Sequence, residues 1–218
     1  MKQPALPLAY RSATGFENFA MTPANEMAVS YLDRWPGWPS HMLLLAGPPG
    51  SGKSHLGAIF AARTGGRVLR PGQMHSRLKA PTLVVDALPP FGDPALDEEG
   101  LFHLINWTRE QGIGLLLLCE SGTGPGVPAL PDLASRLRAA PRVEIGQPDD
   151  ALVGALLVKQ FRDRGVDVPP EVVDYLMVRL PRDFAQIAAT VARLDAAGLE
   201  QRRALTIPFV RQVLNEVS

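Results

Sequence analysis

The stretch His41–Ser54, HMLLLAGPPGSGKS, decides how the rest of this 218-residue chain is read. Met42–Ala46 is an unbroken apolar run, short enough for a strand buried on both faces. Gly47-Pro48-Pro49-Gly50-Ser51-Gly52-Lys53-Ser54 then matches the pattern G-x-x-x-x-G-K-[ST] at every fixed position. The chemistry of phosphate binding demands those types. Glycines let consecutive backbone N–H groups curl inward with no Cβ in the way. Lys53 supplies a mobile cation for the terminal phosphates, and the Ser54 hydroxyl offers a ligand for Mg²⁺. A helix starting here adds the positive end of its dipole. Gly47, Pro49, Gly50, Ser51, Gly52, Lys53, Ser54 and His55 form the expected phosphate-binding set. The order strand, glycine loop, helix predicts binding of a nucleoside di- or triphosphate.

Working outward, Lys53–Thr64 reads as a helix stopped by Gly65-Gly66, followed by a short strand over Arg67–Arg70. Pro81–Asp86 (PTLVVD) is a second buried strand that ends in a carboxylate, placing Asp86 to hold Mg²⁺ through water. The next residue is Ala87, where a hydrolase of this class needs an acid to orient water. Leu96, Leu101, Leu104, Ile105 and Thr108 recur at helical spacing, so Pro94–Gly112 is expected to be a helix on the sheet. Ile113–Cys119 is another strand, and either Glu120 or Ser121 at its tip faces the γ-phosphate. Pro131–Arg138 is a short helix and Arg142–Ile145 a last strand. On the other side of the loop, Thr22 is the expected N-cap of a helix over Ala24–Leu32, with Pro23 at its first position. Trp35-Pro36-Gly37-Trp38-Pro39 leads into the strand, its aromatic rings either flanking a purine or plugging the core or surface. Residues 1–15 are proline-bearing and unpatterned, an expected extended tail.

From Gln147 onward strand runs cease and four amphipathic helices follow, at Ala151–Arg164, Pro170–Leu180, Arg182–Ala197 and Thr206–Val217. The expected organisation is a tail (1–15), an α/β domain (16–147) with a parallel sheet flanked by helices, and an all-helical lid (148–218). Lys plus Arg and Asp plus Glu both number 22, so no net charge argues for nucleic acid or an anionic membrane. A single cysteine, Cys119, excludes an internal disulfide; with no apolar leader, the expected location is cytoplasmic. His41, His55, His75 and His103 stand at no metal-ligand spacing.

Four segments carry a resemblance: Gly52-Lys53-Ser54-His55-Leu56, Pro23-Ala24-Asn25-Glu26, Asp132-Leu133-Ala134-Ser135-Arg136-Leu137 and Leu205-Thr206-Ile207-Pro208-Phe209-Val210. Together they resemble the DnaA-like AAA+ ATPases, meaning the bacterial replication initiator DnaA and its shorter homologue Hda, the regulatory inactivator of DnaA. The last segment and the glutamine-leucine tail are similar to Hda in particular. The resemblance implies an AAA+ P-loop NTPase that binds ADP or ATP with Mg²⁺. Gly47–Ser54 matches Walker A, and Asp86 the Walker B acid. Arg136 matches the arginine finger that reaches a nucleotide on a neighbouring subunit, with Arg138 its close rival. Arg182 matches the sensor 2 arginine. Gln3, Leu6 and Leu8 fit the peptide that binds the DNA polymerase III sliding clamp (its β subunit). The implied partners are this clamp and DnaA, with homo-oligomers also open. The absence of a helix-turn-helix segment after Ser218 argues against sequence-specific DNA binding. The implied activity is stimulation of ATP hydrolysis on DnaA, with weak or no hydrolysis of its own. Two alternatives belong to other classes: a P-loop kinase of a nucleoside or metabolite, and a helicase-loader-like protein binding single-stranded DNA.

Overall fold

Every position of β1 (Met42–Gly47) is buried, as its apolar run demands. It lies inside a five-stranded sheet of order β2-β3-β4-β1-β5, in which every pairing is parallel. The other strands are β2 (Arg67–Leu69), β3 (Thr82–Val85), β4 (Gly114–Glu120) and β5 (Arg142–Glu144). Helices α1 (Glu26–Asp33), α2 (Lys53–Thr64), α3 (Glu98–Glu110) and α4 (Pro131–Ala139) complete this unit. The computed structural model describes residues 21–75, 78–121 and 128–215. The chain divides into two units, Met1–Gly146 and Gln147–Ser218.

Parallel strands need crossover connections, and those helices cover the sheet, which is why β1, β3 and β4 read as continuous apolar runs. Leu44, Leu83, Val85, Leu115 and Leu117 from the strands meet Leu101, Leu104 and Ile105 of α3 and Leu133 of α4 in one buried cluster. Each such fully buried side chain contributes about 1.5–3 kcal/mol relative to exposure. That cluster fixes the strand ends that carry the site.

The second unit holds α5 (Asp150–Arg162), α6 (Pro170–Met177), α7 (Phe184–Gln201) and α8 (Ile207–Asn215). Val153, Leu157, Phe161, Val172, Leu176, Ile187, Val191 and Phe209 bury a core of their own. Asp149 and Asp183 cap α5 and α7, accepting from the N–H groups of Leu152 and Gln186, each at 2.8 Å. Among the described residues no helix is long and apolar enough to cross a membrane.

Several expected boundaries shift, each for a local reason. Thr22 does not cap α1. Its N–H donates to Asn25 Oδ1 at 3.0 Å, and its carbonyl takes the N–H groups of Asn25 and Glu26, so residues 22–25 form a turn and the helix begins at Glu26. α3 starts at Glu98 rather than Pro94, because Asp93 draws Ala95 N–H into a turn at 2.7 Å and Asp97 caps the helix through Gly100 N–H at 2.8 Å. α7 starts at Phe184 rather than Arg182, since Asp183 is the cap. The two tryptophans are packing groups and do not flank a purine. Trp38 stacks on Phe60 at 5.3 Å, and Trp35 lies against Gly114, at the end of the sheet opposite the glycine loop.

Candidate nucleotide-binding site

The loop between β1 and α2 is shaped by residues with no latitude. Gly52 caps α2 at φ +88°, a left-handed conformation that a side chain disfavours. A Cβ on Gly47 would stand 2.7 Å from Ser51 Oγ and 3.1 Å from Ile145 Cβ. Lys53 curls back so that its ammonium donates to the carbonyls of Gly47 and Pro48, each at 2.8 Å. Burial pushes its pKa down from the ordinary lysine value, opposed by the negative charges of Glu120 and Asp86. Ser51 Oγ is buried without a partner.

Asp86, the residue after β3, is buried, and each of its oxygens is engaged. Ser54 Oγ donates to Oδ1 at 2.7 Å, and Arg70 Nη1 to Oδ2 at 3.2 Å. The structure therefore brings Ser54 and Asp86, 32 residues apart in sequence, into direct contact. Ala87 follows at φ +57° with no acidic side chain to offer. At the tip of β4, Ser121 N–H donates to Gly47 O at 3.0 Å, and Glu120 pairs in register with Gly47. Both candidates for the strand-tip role thus border the loop. Pro49, Gly50 and His55 lie on the exposed side of the same loop and first helical turn.

These residues fit a phosphate group and a divalent cation. A short ammonium tether, a serine hydroxyl orphaned by burial, and a hydroxyl–carboxylate pair form the donor set that such a group requires. The N-terminal end of α2 adds the positive end of its dipole.

Arg136 belongs to a different face. It sits half-buried on α4 with its guanidinium over the Phe102 ring of α3, 5.2 Å from the centroid, and its Nε has no partner. His41 lies close by, its pKa held below the usual value by burial and by the charges of Arg109 and Arg136, against a hydrogen bond that its ring donates to the Ile105 carbonyl, which raises it. Arg138, the rival, points to solvent. In the helical unit Arg182 is held by Asp150 at 2.6 Å and by the carbonyls of Met177 and Leu180 at 2.7 and 3.3 Å. Gln3, Leu6 and Leu8 lie outside the described residues.

The residue that sequence reasoning missed is Arg70. Leu69 and Val85 are register partners, so the residues one step beyond them, Arg70 and Asp86, emerge side by side. Strand order, once known, was the available signal.

Residues 150–214 match the family model described as Hda, lid domain. The helical unit is thus similar to the lid of Hda. Its fold resembles domain III of the DnaA replication initiation protein of Thermotoga maritima, with a TM-score of 0.74 at 16% identity, covering 95% of this chain and 98% of that one. DnaA from Aquifex aeolicus with AMPPCP bound gives a TM-score of 0.62 at 18% identity, covering 88% and 68%. The RuvB Holliday junction branch migration motor of Thermotoga maritima gives 0.66 at 16%, covering 93% and 71%. These likenesses define an AAA+-like parallel-sheet core followed by a small helical lid. An uncharacterised protein of Haemophilus influenzae is 32% identical over 119 residues, 54% of this chain and 52% of its own length. The chain thus spans about half the length of that curated relative.

Proposed function

We propose that the Hda-like chain is a nucleotide-latched adaptor that restrains replication initiation by stimulating ATP hydrolysis on DnaA while tethered to the sliding clamp. The observation that carries this reading is a pairing of features: an Hda-type lid at residues 150–214, on a P-loop base whose acidic strand ends in Asp86 but continues with Ala87. Such a site holds nucleotide and lacks the neighbouring carboxylate that would activate water. Its working place on this reading is the cytoplasm.

Bound ADP or ATP with Mg²⁺ supplies concentrated negative charge and a bridging cation. Lys53, already costly to keep charged where it is buried, exchanges its grip on the Gly47 and Pro48 carbonyls for phosphate oxygens. Ser54 and Asp86 are the residues that would hold a cation where one enters. Arg182, freed from Asp150, contributes the lid's contact with nucleotide. Arg136 supplies positive charge to ATP on the partner, an arrangement worth about 10³–10⁵ in rate where an arginine acts in trans. Gln3, Leu6 and Leu8 dock on the clamp, and tethering raises the local concentration of the arginine.

The test is hydrolysis of ATP held by DnaA, measured with clamp loaded on DNA and with the wild-type chain or Gln3→Ala. Acceleration by the wild type that falls sharply in Gln3→Ala supports the adaptor. Equal hydrolysis with and without the chain contradicts it.

A further inference from the structure

The arginine beside Asp86 competes with a dication for the same carboxylate. Arg70 is the residue after β2, and its backbone is fixed: its N–H donates to Gln73 Oε1 at 2.9 Å, and Gln73 N–H returns to Arg70 O at 2.8 Å, closing a tight turn over Pro71–Gln73. From that anchor the guanidinium reaches Asp86 Oδ2 at 3.2 Å while Ser54 occupies Oδ1. The carboxylate is 9% exposed and the arginine 68%. A buried anion is thereby matched by a cation that comes in from solvent and can withdraw to it. Ala87 adds no second acid, so one carboxylate answers to both Arg70 and any metal ion.

We propose that Arg70 is a positioning residue that occupies the place of the divalent cation at Asp86, making the Hda-like chain's hold on ADP nearly independent of Mg²⁺. The inference rests on the nucleotide-binding reading above and deepens it. With Arg70 in place, Asp86 is neutralised and kept hydrogen-bonded to Ser54, so the loop keeps its binding shape without metal. A metal ion entering there must displace the guanidinium and sit a few ångströms from its charge. Repulsion at that range reduces metal affinity by about tenfold even at the dielectric constant of water. Arg70 is mostly exposed, so its removal leaves the core intact.

The experiment titrates ADP into the full-length chain by calorimetry, with Mg²⁺ and with EDTA, for wild type, Arg70→Gln and Arg70→Lys. The wild type is expected to bind within about threefold in the two conditions, the size of effect left to a screened, exposed pair. Arg70→Gln becomes about tenfold more dependent on Mg²⁺, and Arg70→Lys restores the wild-type ratio. An identical Mg²⁺ dependence in wild type and Arg70→Gln overturns the inference. A second arm titrates Mn²⁺ alone, read by electron paramagnetic resonance. Arg70→Gln should hold it about tenfold tighter than wild type, and equal affinity again overturns the proposal. Failure of every variant to bind ADP would overturn the nucleotide-latch reading, while the Mn²⁺ arm still decides the role of Arg70.

Discussion

Around the carboxyl ends of β1 and β3, each charged group meets its complement within the chain: Lys53 on loop carbonyls, Ser54 and Arg70 on Asp86. Along α3 and α4 the reverse holds. Arg136 rests on an aromatic ring with its Nε unpaired, Arg109 and His41 stand close by, and the buried Asn106 Oδ1 and His41 Nε2 are also without partners. The first region is held by contacts within the chain. The second leaves the Nε donor of Arg136 uncommitted, the condition in which it serves an anion brought by another molecule.

The largest expected effect separates the two regions outright. Lys53→Ala should weaken ADP binding by about a hundredfold or more, measured by calorimetry, since truncating one member of a desolvated charge pair costs about 2–5 kcal/mol. Phe102→Ala, on the other face, should leave ADP affinity unchanged.

Next comes a change of scaffold. Gly57 lies on the face of α2 that packs on the sheet, where a Cβ would stand 2.7 Å from Leu118 Cδ1 and 3.1 Å from Val84 Cγ1. Gly57→Ala should lower unfolding free energy by about 1–3 kcal/mol in denaturant titration. It should also weaken ADP binding, because the same helix begins with Lys53 and Ser54. Normal stability in that variant would break the claim that helix and sheet are fixed in close contact.

A smaller effect sharpens the contrast on the arginine side. Phe102→Ala should cut stimulation of DnaA by about three- to tenfold through loss of the cation–π platform under Arg136, with Phe102→Trp restoring it. The smallest effect is a pH dependence. His41 has a lowered pKa, so the unfolded chain binds its proton more readily, and stability is lost as pH falls from 6.5 toward the depressed folded value. His41→Gln should flatten the fall in Tm across that window, by a few degrees at most.

The fold was legible where a residue permits only one local structure. Gly52 and Gly65, both at positive φ, bound α2 at its two ends, and apolar runs marked the strands of a fully covered sheet. Helix starts were less legible because carboxylates and amides compete for the same N–H groups: Asn25 captures Thr22, and Asp93 delays α3. The site divided in the same way. Lys53 and Ser54 announce themselves by spacing, whereas Arg70 becomes visible only when register sets Leu69 beside Val85. Neither spacing nor periodicity indicated that Asp150 would hold Arg182, since that contact depends on how the capped start of α5 packs within the helical unit.

The central claim is that this chain's decisive arginine works on a nucleotide the chain itself does not hold. Single-turnover hydrolysis of ATP preloaded on DnaA, with clamp and with wild type, Arg136→Ala or Arg138→Ala, tests it most directly. The account predicts that Arg136→Ala loses stimulation by about 10³-fold while binding ADP and clamp like the wild type, and that Arg138→Ala stays active. Full stimulation by Arg136→Ala would contradict it.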